Sequence, residues 1–237
     1  MIAPERQVRL VRRIFTRVAP VYDLLNHLLS LGEDRRWRRF LARAVRPGPT
    51  GRVLDVATGT GDVALALAAG PARHRVVGLD LLPAMLAPAR AKADRRGLDL
   101  PLVCGDALHL PFPEASFDAV TIAFGIRNLP RRVAALAEMA RVLVPGGRLY
   151  VLELATPTSP RLRRLYRVYL QGLLPRLGGL VSGQREAYQY LADTILAFPA
   201  PQRFRAELRA AGLVAPRSYA LTRGVAWLHV AERPPAG

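Results

Sequence analysis

Between Val53 and Asp62 an apolar run, Val53-Leu54-Asp55-Val56-Ala57, breaks into Thr58-Gly59-Thr60-Gly61, and a second apolar stretch follows at once. Few local structures accept that order. A strand that turns sharply into a helix does, because glycine tolerates the unusual backbone angles of the turn and lets a ligand approach the main chain. The helix that follows exposes unpaired N–H groups at its start. Thr58, Gly59 and Gly61 are therefore candidate ligand contacts, and the segment fixes an α/β frame around them.

The rest of the chain keeps to that frame. Short apolar runs at Arg52–Ala57, Arg75–Asp80, Leu100–Cys104, Phe117–Ala123 and Arg148–Leu154 alternate with helical stretches at Gly61–Ala69, Pro83–Arg96 and Arg131–Leu143. Such alternation is the mark of βαβ units and a mainly parallel sheet. A helix at Gln202–Ala211 and strands near Ser218–Leu221 and Val225–Glu232 bring the expected sheet to seven strands with helices on both faces. Residues 1–50 are expected to form a helical cap, broken near Pro20 and Gly32. Residues 157–201, rich in arginine and tyrosine, are expected to form a helical insertion. With 237 residues and no internal repeat, a single domain spanning 1–237 is the expectation.

Two ligand classes fit the glycine loop. Gly59-x-Gly61-x-x-Ala64 satisfies a loose dinucleotide fingerprint, in which the helix start holds a pyrophosphate. Asp80 ends the second strand 19 residues past Gly61 and suits the ribose hydroxyls of either class. Three features favour a zwitterionic sulfonium donor, S-adenosylmethionine. Asp55 lies inside the first strand, where it would attract an ammonium and repel a phosphate. Asp106 and Ala107 follow the third strand, where an adenine edge is expected. Pro145-Gly146-Gly147 precedes the fifth strand, a turn frequent in methyltransferases.

Composition excludes several classes. Hydrophobic residues at 51% against 22% charged are incompatible with a disordered chain. No apolar run approaches the ~20 residues of a membrane span. Met1–Phe15 carries Glu5, Arg6, Arg9, Arg12 and Arg13, so it has no secretory apolar core. One cysteine, Cys104, rules out an internal disulfide and a cysteine-cluster metal site, and no metal is expected. A cytoplasmic protein is the simple expectation. The net charge of +17 favours an anionic partner, whether nucleic acid, acidic substrate or anionic membrane surface. The basic residues are spread along the chain without a nucleic-acid-binding module, so specific nucleic-acid binding is not expected.

With the motifs placed, the chain resembles the bacterial quinone-ring C-methyltransferases, the family of demethylmenaquinone methyltransferase and its relative in ubiquinone synthesis. The likeness begins at Ile14-Phe15, continues through Val18-Ala19, Tyr22-Asp23, Asn26 and Ser30-x-Gly32 to Trp37-Arg38, and resumes over Asp55–Asp62, Gly78-Leu79-Asp80 and Met85-Leu86. It then takes in Gly105-Asp106-Ala107, Leu110-Pro111-Phe112, Phe124-Gly125-Ile126-Arg127-Asn128, Arg141-Val142-Leu143 with the Pro-Gly-Gly turn, Leu152-Glu153, Tyr188-x-Tyr190-Leu191 and Phe198-Pro199. It covers about residue 12 to the end. The glycine loop and the Pro-Gly-Gly turn are widely shared, whereas Phe-Gly-Ile-Arg-Asn and Tyr-x-Tyr-Leu are particular to the family. The resemblance implies a class I, Rossmann-like methyltransferase, with donor contacts at Thr58, Asp80, Asp106 and Ala107. Ala123, Leu82 and Ala155-Thr156 depart from the family pattern outside its central motifs.

The implied reaction is transfer of a methyl from S-adenosylmethionine to a ring carbon of a prenylated quinol, demethylmenaquinol giving menaquinol. The benzoquinol of ubiquinone synthesis and other small or prenylated metabolites are the alternatives. Arg127 is expected to stabilise the quinol oxyanion, Asn128 to orient the quinol or a water, and Tyr22 to cover the donor. Plainer readings stand beside these: an ion pair anchoring a loop for Arg127, a helix cap for Asn128, packing for Tyr22. His27 and Glu153 are candidate bases. Arg161–Leu170 interleaves arginine with leucine and tyrosine, which suits either a peripheral helix on an anionic membrane at the inner face of the cell or a solvated basic lid. A homodimer is left open.

Overall fold

The computed structural model describes residues 4–18, 27, 30, 32–70, 74–182 and 185–236. Its strands are Arg52–Val56 (β1), Arg75–Asp80 (β2), Leu102–Cys104 (β3), Phe117–Ala123 (β4), Leu143–Leu154 (β5), Val214–Leu221 (β6) and Ala226–Glu232 (β7). They form one sheet in the order β3-β2-β1-β4-β5-β7-β6. The pairs among the first five strands are parallel, and β7 runs antiparallel to β5 and β6. The order reverses between β1 and β4, so a crevice opens at their carboxyl ends, where open α/β sheets take their ligands.

Helices Pro4–Val18 (α1), Glu33–Ala44 (α2), Asp62–Ala68 (α3), Pro83–Arg95 (α4), Arg132–Val142 (α5) and Pro201–Ala210 (α9) surround the sheet. Between β5 and α9 the chain forms Pro160–Val168 (α6), a π-helical turn Tyr169–Leu173, Leu174–Ser182 (α7) and Arg185–Ala197 (α8). β1 and β4 are buried along nearly their whole length because helices cover both faces. One core gathers Leu54, Val120 and Ile122 with Leu136, Met139 and Phe204 from α5 and α9. The other gathers Val53 and Ala119 with Trp37, Leu41, Val63 and Leu67 from α2 and α3. A third, smaller core belongs to the insertion: Leu170, Leu174, Tyr188, Ala192 and Ile195.

Three strand boundaries differ from the sequence expectation by more than one residue. β5 starts at Leu143, ahead of the Pro-Gly-Gly segment, which is a bulge within the strand: pairing to β4 slips between Phe117↔Leu143 and Ala119↔Arg148. Extra residues in one strand of a pair bend it without ending it. β3 starts at Leu102 and not Leu100, since Pro101 has no N–H to give a ladder. β6 starts at Val214, well before Ser218, because Val214 pairs with Glu232 across a register shift around Pro216. The break expected near Pro20 lies outside the described residues. The break at Gly32 stands just ahead of α2, with φ of 79°.

Candidate active site

The crevice is built from the tips of β1, β2, β3 and β4. After β1 the chain passes Ala57 at φ 51°, and after β4 it passes Phe124 at φ 58°, two non-glycine residues in the left-handed region. Strain of that kind persists only where the surroundings impose it, and it clusters at ligand sites. Gly59 and Gly61 take φ of 58° and 82°. A Cβ on Gly61 would also stand 2.9 Å from Cβ of Ala89, so α4 packs against the loop only because that side chain is missing.

Asp80 ties the loop to β2. Its two oxygens accept the N–H groups of Gly59 and Leu82, each at 2.9 Å. Burial raises its pKa against those hydrogen bonds and that of Leu81. Asp55 is more enclosed still. Thr121 Oγ1 donates to Oδ1 at 2.6 Å and Thr58 Oγ1 donates to Oδ2 at 2.7 Å. Desolvation lifts its pKa to about 6 despite both hydroxyls. Arg38, Asp55, Thr58, Gly59, Asp62 and Ala123 line one small pocket. Asp62 opens α3 and pairs with Lys92 at 2.7 Å. A carboxylate at that helix start repels an anion, so the pyrophosphate reading of the loop loses its main attraction.

Asp106 and Ala107 follow β3 beside Asp80, with Gly105 N–H donating to the Asp80 carbonyl at 3.0 Å. Oδ1 of Asp106 accepts the Leu108 N–H at 2.9 Å, which folds the loop back on itself. Ala107 is buried.

Arg127 and Asn128 sit on a one-turn 3-10 helix, Ile126–Asn128, just past β4. Nη1 of Arg127 donates to Glu153 Oε1 and to the Phe124 carbonyl, both at 2.6 Å. Glu153 is fully buried on β5 and also accepts the N–H groups of Arg127 at 3.2 Å and Leu154 at 2.8 Å. Its oxygens are taken up by the guanidinium and two backbone N–H groups, so Glu153 anchors the turn after β4. Asn128 caps no helix: the position before α5 is Arg131, four residues before Ala135, whose N–H it accepts. Oδ1 of Asn128 is buried with no hydrogen-bond partner among the described residues. Its carbonyl accepts from Gln7 of α1 at 3.2 Å. Burial holds the phenols of Tyr166 and Tyr190 above their ordinary pKa, and the Arg127 charge opposes it in both, so the insertion faces this turn with tyrosines.

Tyr22 lies outside the described residues. His27 is not at the Arg127 turn; its Nδ1 stands 3.3 Å from Asp34, in a group with Ser30 and Arg38. The sequence alone does not point to Arg38, Thr121 or Tyr166 as residues of the crevice. Spacing of four between Asp34 and Arg38 on one helix was the only local sign. No group of three or more His, Cys, Asp or Glu side chains suited to a metal occurs among the described residues.

The sequence model of the ubiE/COQ5 methyltransferase family matches residues 3–233. The chain belongs to that family. Among similar relatives, a demethylmenaquinone methyltransferase of Thermus thermophilus is 51% identical over 93% of this chain and 100% of its own length. A Deinococcus radiodurans protein of the same description is 49% identical, over 94% and 92%. A ubiquinone/menaquinone biosynthesis C-methyltransferase UbiE of Geobacter sp. is 45% identical, over 94% and 96%. Solved structures share the fold at lower identity. A SAM-dependent methyltransferase from Thermotoga maritima superposes with TM-score 0.64 at 19% identity, covering 94% of this chain and 99% of that one. The [4+2]-cyclase SpnF superposes at 0.68 with 19% identity, covering 95% and 96%. A cyclase on the same frame is a reminder that fold alone does not fix chemistry; membership of the ubiE/COQ5 methyltransferase family makes this chain a methyltransferase.

Proposed function

We propose that the chain transfers the methyl of S-adenosylmethionine to a ring carbon of a prenylated quinol, converting demethylmenaquinol to menaquinol. The observation that carries the substrate is the close likeness, near half of all positions over nearly full length, to two relatives described as demethylmenaquinone methyltransferases. The residues at the crevice fit the donor. Asp55, enclosed by two hydroxyls, attracts the ammonium; Asp80, already aligned by two backbone N–H groups, has lone pairs left for ribose hydroxyls; Asp106 and Ala107 take the adenine edge.

S-adenosylmethionine supplies an electrophilic methyl on a sulfur that leaves as a neutral thioether. The protein must align acceptor carbon, methyl and sulfur and keep water away. As the quinol loses a phenolic proton, its oxygen gains charge and the neighbouring ring carbon gains electron density. That carbon takes the methyl, and its own proton then leaves to restore the aromatic ring. Arg127 stabilises the developing oxyanion. Because Glu153 offsets part of its charge and holds Nη1 in place, it acts as a fixed donor and not as a base. Oδ1 of Asn128 is a buried acceptor for the quinol O–H. Tyr22 is assigned to covering the donor.

The prenyl tail calls for a lipid surface. No helix among the described residues is long and apolar enough to cross a membrane. α6, however, has no fully buried residue, and apart from Leu162 and the half-covered Tyr166 its side chains are exposed. Leu165, Val168 and Leu173 are 66%, 64% and 50% exposed. Residues 154–185 carry six arginines and no acid. Apolar residues flanked by arginines favour an anionic bilayer, so we place this face on the inner surface of the cell membrane, with the body of the protein in the cytoplasm. The deciding assay supplies purified protein with labelled S-adenosylmethionine and, separately, demethylmenaquinol and its benzoquinol counterpart. Methylated naphthoquinol is the expected product. Label in the benzoquinol alone would move the protein to the other branch, and label in neither would end the proposal.

A further inference from the structure

Among the described residues lining the pocket beside the glycine loop, Arg38 is the single cation. It comes from α2, outside the βαβ frame, and is only 9% exposed. Its setting is specific. Nη1 is paired with Asp34 one helical turn earlier and lies 3.4 Å from Asp62 Oδ2. The guanidinium carbon sits 5.4 Å from the centroid of the Phe124 ring. Asp34 is itself held by the Ser30 hydroxyl at 2.9 Å and by His27 Nδ1 at 3.3 Å. Burial works against the Asp34 carboxylate, yet Arg38, Ser30 and His27 together keep its pKa below the usual value. Asp62 is shared with Lys92. A chain of side chains thus aims one guanidinium at the pocket, with the ion pairs to Asp34 and Asp62 both made through Nη1.

The occupant's charge makes that cation necessary. An amino-acid end carries an ammonium and a carboxylate a few ångströms apart. Asp55 accounts for the first. The second would lie near Asp55 and Asp62, and Arg38 is the cation among the described lining residues that offsets them. Arginine presents a planar fork matched to a carboxylate.

Resting on the reading of this crevice as a donor site, we propose that Arg38 binds the carboxylate of the donor's amino-acid end, with Asp34 as the residue that positions it. The donor is then recognised as an α-amino acid from two sides: ammonium at Asp55 on the strand, carboxylate at Arg38 on the cap. The N-terminal cap also becomes part of the site, because the donor bridges α2 and β1.

Calorimetric titration of the full chain with S-adenosylmethionine and with its decarboxylated form tests this. The wild-type protein is expected to prefer the intact donor by about 10- to 100-fold, the scale of a charged hydrogen bond. Arg38→Met is expected to lose most of that preference while its affinity for the decarboxylated donor stays within about threefold, on the view that this ligand makes no use of the guanidinium. Equal weakening of both ligands in Arg38→Met would overturn the proposal, as would a wild-type protein that binds the two alike. Should Arg38→Met not fold, Arg38→Lys decides: it keeps a cation beside Asp34, and a preference cut severalfold supports the fork, whereas an unchanged one refutes it. A wild-type protein that binds neither ligand overturns the donor site itself, a distinct result.

Discussion

Arg127 and Glu153 form an ion pair sealed from water, Nη1 to Oε1 at 2.6 Å, with side chains 5% and 0% exposed. The same carboxylate receives the backbone N–H groups of Arg127 and Leu154, so one side chain on β5 fixes the turn that leaves β4. Removing one partner of such a pair strands a buried charge and typically costs ~3–5 kcal/mol. Glu153→Ala is expected to lose about that much in urea denaturation. A loss within the range of an ordinary surface change would show that the pair is not what holds the turn.

Arg127→Lys separates structure from chemistry. A lysine keeps the charge near Glu153 but not the planar fork. Turnover is expected to fall about 10²-fold or more, on the scale of removing one oxyanion donor. Affinity for S-adenosylmethionine, measured by calorimetry, should stay within about threefold of wild type, because Asp55, Asp80 and the glycine loop are untouched. A large loss of donor binding would place Arg127 in the wrong half of the crevice.

With Asp55 proposed as the ammonium site, donor binding is expected to depend on pH. Its pKa is raised from 3.8 to about 6 in the folded protein, chiefly by desolvation. Between those values the native state holds more protons than the unfolded chain, so raising the pH through this window destabilises the ligand-free protein, by roughly 3 kcal/mol in total. An ammonium at the proposed site needs the ionised carboxylate. Affinity is therefore expected to rise as the pH passes about 6 and then level off, and Asp55→Asn should flatten the profile while stabilising the free protein above that pH. A pH-independent affinity from 5 to 8 in the wild type would remove Asp55 from the ammonium site.

Gly178 on α7 lies against the Tyr188 ring: a Cβ there would fall 2.2 Å from Cδ2. Gly178→Ala must displace that ring, and Tyr188 belongs to the insertion's own core. Overpacking of this kind costs about 1–3 kcal/mol. The expected readout is local: faster amide exchange in α7 and α8 and a raised KM for the quinol, with donor affinity unchanged. Equal exchange rates in both proteins would show that the ring has another place to go.

The basic face on α6 predicts vesicle binding. Co-sedimentation with anionic vesicles should fall at least fivefold in Arg163→Ala/Arg164→Ala/Arg167→Ala, each arginine near a charged surface contributing about 1 kcal/mol. Leu165→Asp should weaken it as well, since Leu165 is 66% exposed and stands outside the insertion's core. Sedimentation of the triple variant equal to wild type would make α6 a solvated lid.

Much of the frame was legible in the chain itself. The apolar runs of β1, β2 and β4 and the glycine loop announce themselves because each is decided by residues within a few positions of one another. The limits of β5 and β6 were not legible. Pro145-Gly146-Gly147 and Pro216 carry turn signals, yet both lie in strands, because pairing with β4 and β7 continues past them through shifted register. The crevice divides in the same way. Thr58, Gly59, Gly61 and Asp80 follow from a local strand-turn-helix pattern. Arg38, Thr121 and the tyrosines of the insertion do not, because they reach the site from distant parts of the chain.

What the amino-acid order determined alone is the conformation of each segment and the kinds of side chain at the strand tips. Backbone sterics and apolar periodicity act over a few residues, and they leave a readable trace. Only the tertiary structure decided which charges meet: that Arg127 finds Glu153, 26 residues on, that Asp55 is shut between two threonine hydroxyls, and that Arg38 points at the same pocket. Charge interaction and desolvation depend on distance and burial in space, and neither quantity is defined until the sheet has closed and the helices have covered it.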